Sequence, residues 1–125
     1  MAALLLHYAG CSTCGKARAW LKGRGIAFQE RPIVEEPPTK TELAKWIAAS
    51  GLPIRKWLNT SGQSYRAIGK DRIAAMTDAQ LIAALTRDGK LVKRPVLVDG
   101  RRVLVGFDPD AYAATLAAKS KTGDS

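Results

Sequence analysis

The chain has 125 residues, 46% of them hydrophobic and 25% charged, the proportions of one ordinary folded domain, which excludes a disordered chain. No apolar run approaches the roughly 20 residues that cross a bilayer, and Met1 to Tyr8 lacks the basic segment and apolar length of a secretory leader, so a cytoplasmic chain with no membrane partner is expected. Twenty Lys and Arg against eleven Asp and Glu leave a net charge of +9, which favours an anionic partner, whether an oxyanion, an acidic thiol such as glutathione or a nucleic acid, although scattered basic residues also suit a solvated surface.

Residues 3–8 form a short apolar run suited to a buried strand, broken by Gly10. From Ser12 onward Ala17, Trp20 and Leu21 fall at helical spacing, which predicts a helix stopping at Gly23 to Gly25. Ile26, Phe28 and Ile33 between polar residues predict a second strand over 26–33, parallel to the first after a right-handed crossover. Pro37-Pro38-Thr39 forbids helix upstream and offers a cap, with Glu42 at capping-box spacing and Leu43, Trp46 and Ile47 as the apolar face up to Gly51. Ile54 to Leu58 predicts a further short helix, Asn59 to Ser64 a polar turn, and Thr77-Asp78 another helix ended by Gly89.

The last third changes texture. Pro95 to Val98, Asp99-Gly100 and Val103 to Val105 spell an antiparallel hairpin around an Asp-Gly turn. Asp108-Pro109 caps a helix over 111–118, and residues 119–125 have the composition of a flexible tail. The expected architecture is therefore a single α/β domain over 1–118, β-α-β then β-β-α, with a helical insertion at about 37–90. A four-stranded mixed sheet in the thioredoxin order fits that sequence of elements.

Cys11 and Cys14 are the only cysteines and His7 the only histidine, too few for a four-ligand zinc site, so no metal is expected. What remains is one Cys-x-x-Cys at a strand-to-helix junction, the setting that makes this motif reactive rather than merely buried. Unpaired N–H groups and the positive end of the helix dipole stabilise a thiolate there. Cys11 should be the exposed nucleophile and Cys14, one turn on, the thiol that resolves an adduct. The backbone of Ser12, Thr13 and Gly15 offers an anion cradle, and Arg94 a planar fork for its other side. His7 either assists the thiolate or is an ordinary strand residue. Pro95 opens the hairpin, where either a trans or a cis bond is compatible with a strand start.

The run Cys11-Ser12-Thr13-Cys14-Gly15-Lys16-Ala17-Arg18-Ala19-Trp20-Leu21 resembles the active-site segment of the arsenate reductase (ArsC)/Spx family. So do Leu58-Asn59-Thr60-Ser61-Gly62, Lys93-Arg94-Pro95-Val96, Gly106-Phe107 and the Pro37-Pro38-Thr39 helix start, so that the resemblance spans about residues 3–116. It implies a thioredoxin/glutaredoxin-like fold with a helical insertion and a cis proline at Pro95. In arsenate-reducing members a cysteine matching Cys11 attacks arsenate, helped by a histidine matching His7, while three arginines hold the oxyanion. Arg94 matches one of these; the second position falls on Asn59 and the third near Gly106. Arg55, Lys56, Arg101 and Arg102 are the cations offered as replacements.

Glutathione-coupled reductases lack a cysteine at the position of Cys14, whereas Spx-type redox regulators have Cys-x-x-Cys. The resemblance therefore implies a thiol-dependent arsenate reductase in which Cys14 resolves the adduct. It holds no bound cofactor and is regenerated by thioredoxin or by glutathione with glutaredoxin. The alternatives are a glutathione-dependent thiol reductase and an Spx-type regulator that binds the C-terminal domain of the RNA polymerase α subunit.

Overall fold

A computed structural model describes residues 3–123, with side chains described for 3–116. The first unit is β1 (Ala3–His7), α1 (Ser12–Gly23) and β2 (Phe28–Pro32), and β1 and β2 pair in parallel from Ala3 opposite Phe28 to His7 opposite Pro32. Next come α2 (Lys40–Ser50), a 3-10 turn at Ile54–Trp57, α3 (Gln63–Ile68), α4 (Lys70–Ala74), α5 (Asp78–Arg87) and a second 3-10 turn at Gly89–Leu91. The chain closes with β3 (Val96–Asp99), β4 (Arg102–Val105) and α6 (Pro109–Gly123). The sheet order is β2-β1-β3-β4, with β3 antiparallel to both neighbours. The expected mixed four-stranded sheet with inserted helices is thus the observed one.

Alternation along β1 sends its side chains to two separate cores, as a period of two requires. Leu6 joins Val96, Leu43, Trp57, Leu81 and Leu85 under the inserted helices. Ala3 and Leu5 join Leu97, Ala17, Leu21 and Tyr112 under α1 and α6. The two longer inserted helices that the sequence predicts have their caps in place, while the expected short helix at Ile54 to Leu58 is an uncapped 3-10 turn. Thr39 and Glu42 form a full capping box, and Thr77 with Gln80 forms another, unforeseen at its second residue.

Four boundaries differ from expectation. The second strand is shorter than 26–33, because Ile26 N–H donates to the Leu21 carbonyl and so belongs to the end of α1. The expected polar turn at Asn59 to Ser64 gives way at Gln63 to α3, and α4 follows it; neither carries enough apolar residues at helical spacing to announce itself. The α5 helix ends at Arg87, before Gly89. Gly89 is buried for another reason: a Cβ there would lie 2.0 Å from the Ile33 carbonyl oxygen, so backbone meets backbone. The final helix begins at Pro109 and its backbone continues past the expected stop to Gly123, while residues 124–125 of the expected tail lie outside the described residues.

The insertion returns to the sheet by a clasp of its two ends. Leu58 and Val92 form an antiparallel bridge, the Asn59 N–H donates to the Leu91 carbonyl at 2.8 Å, and the Lys93 N–H donates to the Trp57 carbonyl at 2.7 Å. Lys93 and Arg94 leave this clasp directly into β3 through a cis Arg94–Pro95 bond.

Candidate functional site

Cys11 is the N-cap of α1, in extended backbone at φ −97° and ψ 114°. Its own N–H donates to the Tyr8 carbonyl at 3.0 Å, and its sulfur accepts the Cys14 N–H at 3.3 Å. The thiol therefore takes the position that a serine or aspartate oxygen fills at other helix starts. Cys14 lies behind it, 1% exposed, so Cys11 is the outer and Cys14 the inner thiol of the pair.

A cavity of about 690 Å³ opens on Cys11. Gly10, Ser12 and Thr13 form its floor at the start of α1. Asn59, Ser61 and Gly62 bring one wall from the insertion, Lys93 and Arg94 bring the next, and Val105 to Asp108 close it from the end of β4. Such a volume is that of a small-molecule site rather than a packing defect.

Burial tends to raise the Cys11 pKa, but the hydrogen bonds from the Cys14 thiol and the Cys14 N–H, together with the hydrogen bond and charge of Arg94, outweigh it and hold the thiol below its ordinary value. Cys14 goes the other way. Burial first, then its hydrogen bond to Cys11, push it up to about 12, a rise that Cys11's charge adds to and the Tyr8 backbone and Arg94 only partly offset. The pair is thus split, with the outer thiol made easier to ionise and the inner one harder.

Arg94 is held from two sides. One guanidinium nitrogen donates to the Lys90 carbonyl at 3.1 Å, and its central carbon sits 4.8 Å from the Tyr8 ring centroid. Its Nε is buried and has no hydrogen-bond partner among the described residues. Tyr8 in turn is covered by Gly10, where a Cβ would come within 3.0 Å of the ring.

Several of the expected site residues meet here and others do not. Cys11, Ser12, Thr13, Asn59 and Arg94 share the cavity wall. Gly15 does not, since its N–H donates to the Cys11 carbonyl in the first helical turn. His7 does not line the cavity either, and its Nε2 faces Glu30 Oε2 at 4.0 Å, beside the Arg18–Glu30 ion pair. Pro95 acts through its carbonyl, which accepts the Gly106 N–H at 2.8 Å and fixes the far wall. The Tyr112 hydroxyl donates to the Gly106 carbonyl at 3.1 Å from the other side.

None of the four cations offered as replacement arginines lines the cavity. The Arg55 guanidinium donates to the Ile73 and Met76 carbonyls and so caps α4, while Arg102 donates to the Thr115 carbonyl on α6. Lys93 is the additional cation in the wall. The sequence signal for it is its place beside Arg94 at the start of a strand, a signal visible only once the return of the insertion is known.

Residues 6–115 match the model of the ArsC family. A putative ArsC family related protein from Bacteroides fragilis superimposes with a TM-score of 0.87 at 45% identity, covering 91% of this chain and 97% of its own. A possible arsenate reductase from Streptococcus mutans UA159 has a TM-score of 0.78 at 36% identity over 84% of this chain and 90% of its own. The regulatory protein MgsR of Bacillus subtilis (strain 168) is 32% identical over 82% of this chain and 80% of its own length.

Proposed function

The chain belongs to the ArsC family, and from that premise we propose that it is a thiol-dependent reductase of arsenate or a related tetrahedral oxyanion. The observation that carries this reading is the meeting of Cys11, its thiol held below its ordinary pKa, with Arg94 in one cavity at the open N-terminus of α1. The N–H groups of Ser12 and Thr13 and the Nε of Arg94 supply donors on two sides of one concavity.

The chemistry follows from the split pair. The Cys11 sulfur attacks pentavalent arsenic, an As–S bond forms, and one oxygen leaves as water after taking up protons. Burial is the main reason Cys14 stays protonated, but that step removes the hydrogen-bond acceptor and the negative charge of Cys11 that add to it, so Cys14 becomes easier to ionise. Its thiolate attacks the Cys11 sulfur, the electron pair of the As–S bond passes to arsenic, and trivalent arsenite departs. A Cys11–Cys14 disulfide remains, and a two-electron thiol donor, thioredoxin or glutathione with glutaredoxin, reduces it.

Coupled turnover tests the proposal. Pure protein with arsenate, NADPH and either the thioredoxin or the glutathione/glutaredoxin system should consume NADPH only when arsenate is present. Cys11→Ser should abolish this, and Cys14→Ser should leave Cys11 carrying an adduct visible by mass spectrometry. Absence of arsenate-dependent oxidation with both donors sinks the reductase reading. It would favour a second one, a redox-sensing regulator, which the likeness to MgsR and the same cysteine pair support. Capture of the RNA polymerase α C-terminal domain by the protein, lost on oxidation or reduction, would then be its signature.

A further inference from the structure

We propose that Lys93 is the second cationic anchor of this cavity, reaching across Gly106 to take the outer oxygens of the oxyanion that Cys11 and Arg94 hold from within. The inference rests on the oxyanion reading above and assigns a residue to it. Its first support is placement. Among the described residues Lys93 and Arg94 are the two cations in the wall, and both enter it from one fixed point, because the Lys93 N–H is bonded to the Trp57 carbonyl at 2.7 Å.

The second support is the track of the side chain. Its Cε lies 3.5 Å from where a Cβ on residue 106 would stand. Gly106, at φ +84°, has a backbone that side chains rarely adopt, and its two polar groups are tied to Pro95 and Tyr112. The turn after β4 thus presents bare backbone at Gly106, against which the Lys93 side chain passes at its Cε, a track along which its stem can carry the ammonium to the cavity.

The third support is that the ammonium is not engaged elsewhere. Among the described residues it enters no ion pair and no hydrogen bond. Asp108, the carboxylate in the same wall, accepts the Asp110 N–H at 3.1 Å and so caps α6 instead. A tetrahedral dianion has oxygens enough for both cations, and a point charge at the mouth tolerates variation in where the outer oxygens fall.

Protection of Cys11 from iodoacetamide by sulfate and by arsenate, followed by mass spectrometry, tests this without needing turnover. Lys93→Met and Lys93→Gln should each raise the anion concentration for half-protection about tenfold or more, the loss expected for one charge-assisted hydrogen bond. Lys93→Arg should stay within about threefold of the parent, since it keeps a charged donor at the same place. Lys22→Met on the far end of α1 removes the same unit of charge outside the cavity and should change little. Equal effects of Lys22→Met and both neutral Lys93 variants would overturn the proposal, reducing Lys93 to a share of the general field. Failure of both anions to protect the parent protein would instead overturn the oxyanion reading.

Discussion

At the scale of single residues, Cys11 and Cys14 are one titrating unit in which each thiol shapes the other. With Cys11 below its ordinary value and Cys14 pushed up to about 12, alkylation at neutral pH should label Cys11 alone. Its rate should rise through a pKa below that of a free thiol, while Cys14 reacts only after denaturation; equal labelling of both in the native protein would contradict the split. The sign for stability is opposite for the two. Cys11 favours the folded chain above the unfolded thiol value and loses that advantage as pH falls through its lowered pKa, whereas Cys14 favours it at lower pH and loses its advantage as pH rises toward 12. Arg94 depends on Tyr8, so Tyr8→Leu should remove the ring under the guanidinium and move the Cys11 alkylation profile toward higher pH, while Tyr8→Phe should leave it nearly in place. A profile unmoved by Tyr8→Leu would show that the Lys90 carbonyl holds Arg94 unaided. The order of the two cysteines and the presence of Arg94 were legible in the sequence, because both follow from position on a helix start and a strand start. The exits of Gly15 and His7 were not: one depends on which carbonyl claims an N–H, the other on Glu30 arriving from a neighbouring strand.

At the scale of elements, the insertion is attached where β2 hands over to α2. Both oxygens of Glu42 accept from the Arg31 guanidinium, at 2.8 and 2.9 Å, and Arg31 also donates to the Glu36 and Pro37 carbonyls. One Glu42 oxygen accepts the Thr39 N–H at 2.9 Å as well, so the same carboxylate closes the capping box and the ion pair. The Arg31 hydrogen bond holds the Glu42 carboxyl below the usual range against the pull of burial. Glu42→Gln keeps a capping side chain and loses the charge, and should cost about 0.5–1 kcal/mol at pH 7. Glu42→Ala loses both and should cost about 1–2 kcal/mol. Since the folded pKa is the lower one, the stabilisation is present above the unfolded glutamate value and disappears as pH falls through the folded one, so denaturation midpoints of the parent and Glu42→Gln should converge in acid. Persistence of the gap there would mean that the charge contributes nothing. Thr39 and Glu42 were readable as a cap from spacing alone, but their link to Arg31 joins elements that no local pattern connects. The α3 and α4 helices escaped notice for a related reason: α3 buries no residue fully and α4 buries only Ile73, so neither has the apolar stripe that a sequence reading needs.

At the scale of the whole molecule, β1 is shared by two cores, Leu6 facing the inserted helices and Leu5 facing α1 and α6. Leu5→Ala and Leu6→Ala should each cost about 2–5 kcal/mol. Both should lower one common transition, because neither core survives without the central strand. The tryptophans report on this, with Trp46 and Trp57 in one core and Trp20 packed against the other. Fluorescence and far-ultraviolet dichroism melting at different temperatures would show two independent halves instead. The α/β order and its four strands were legible because each strand is a short apolar run bounded by turns, whereas the return path of the insertion was not, being held by backbone bonds between Trp57 and Lys93 and between Asn59 and Leu91. Gly89 sits on that path, with room for a hydrogen atom and nothing larger against the Ile33 carbonyl. The obstacle is main chain, so no rotamer change relieves it, and a methyl group there must pry the 3-10 turn away from the backbone that follows β2. The turn carries the Lys90 carbonyl that accepts from both Arg94 and Asn59. A survey of variants scored only by loss of chemistry would therefore flag position 89 as if it belonged to the reaction, although it reads as an ordinary loop glycine and its sole part is to keep a shim out of a joint.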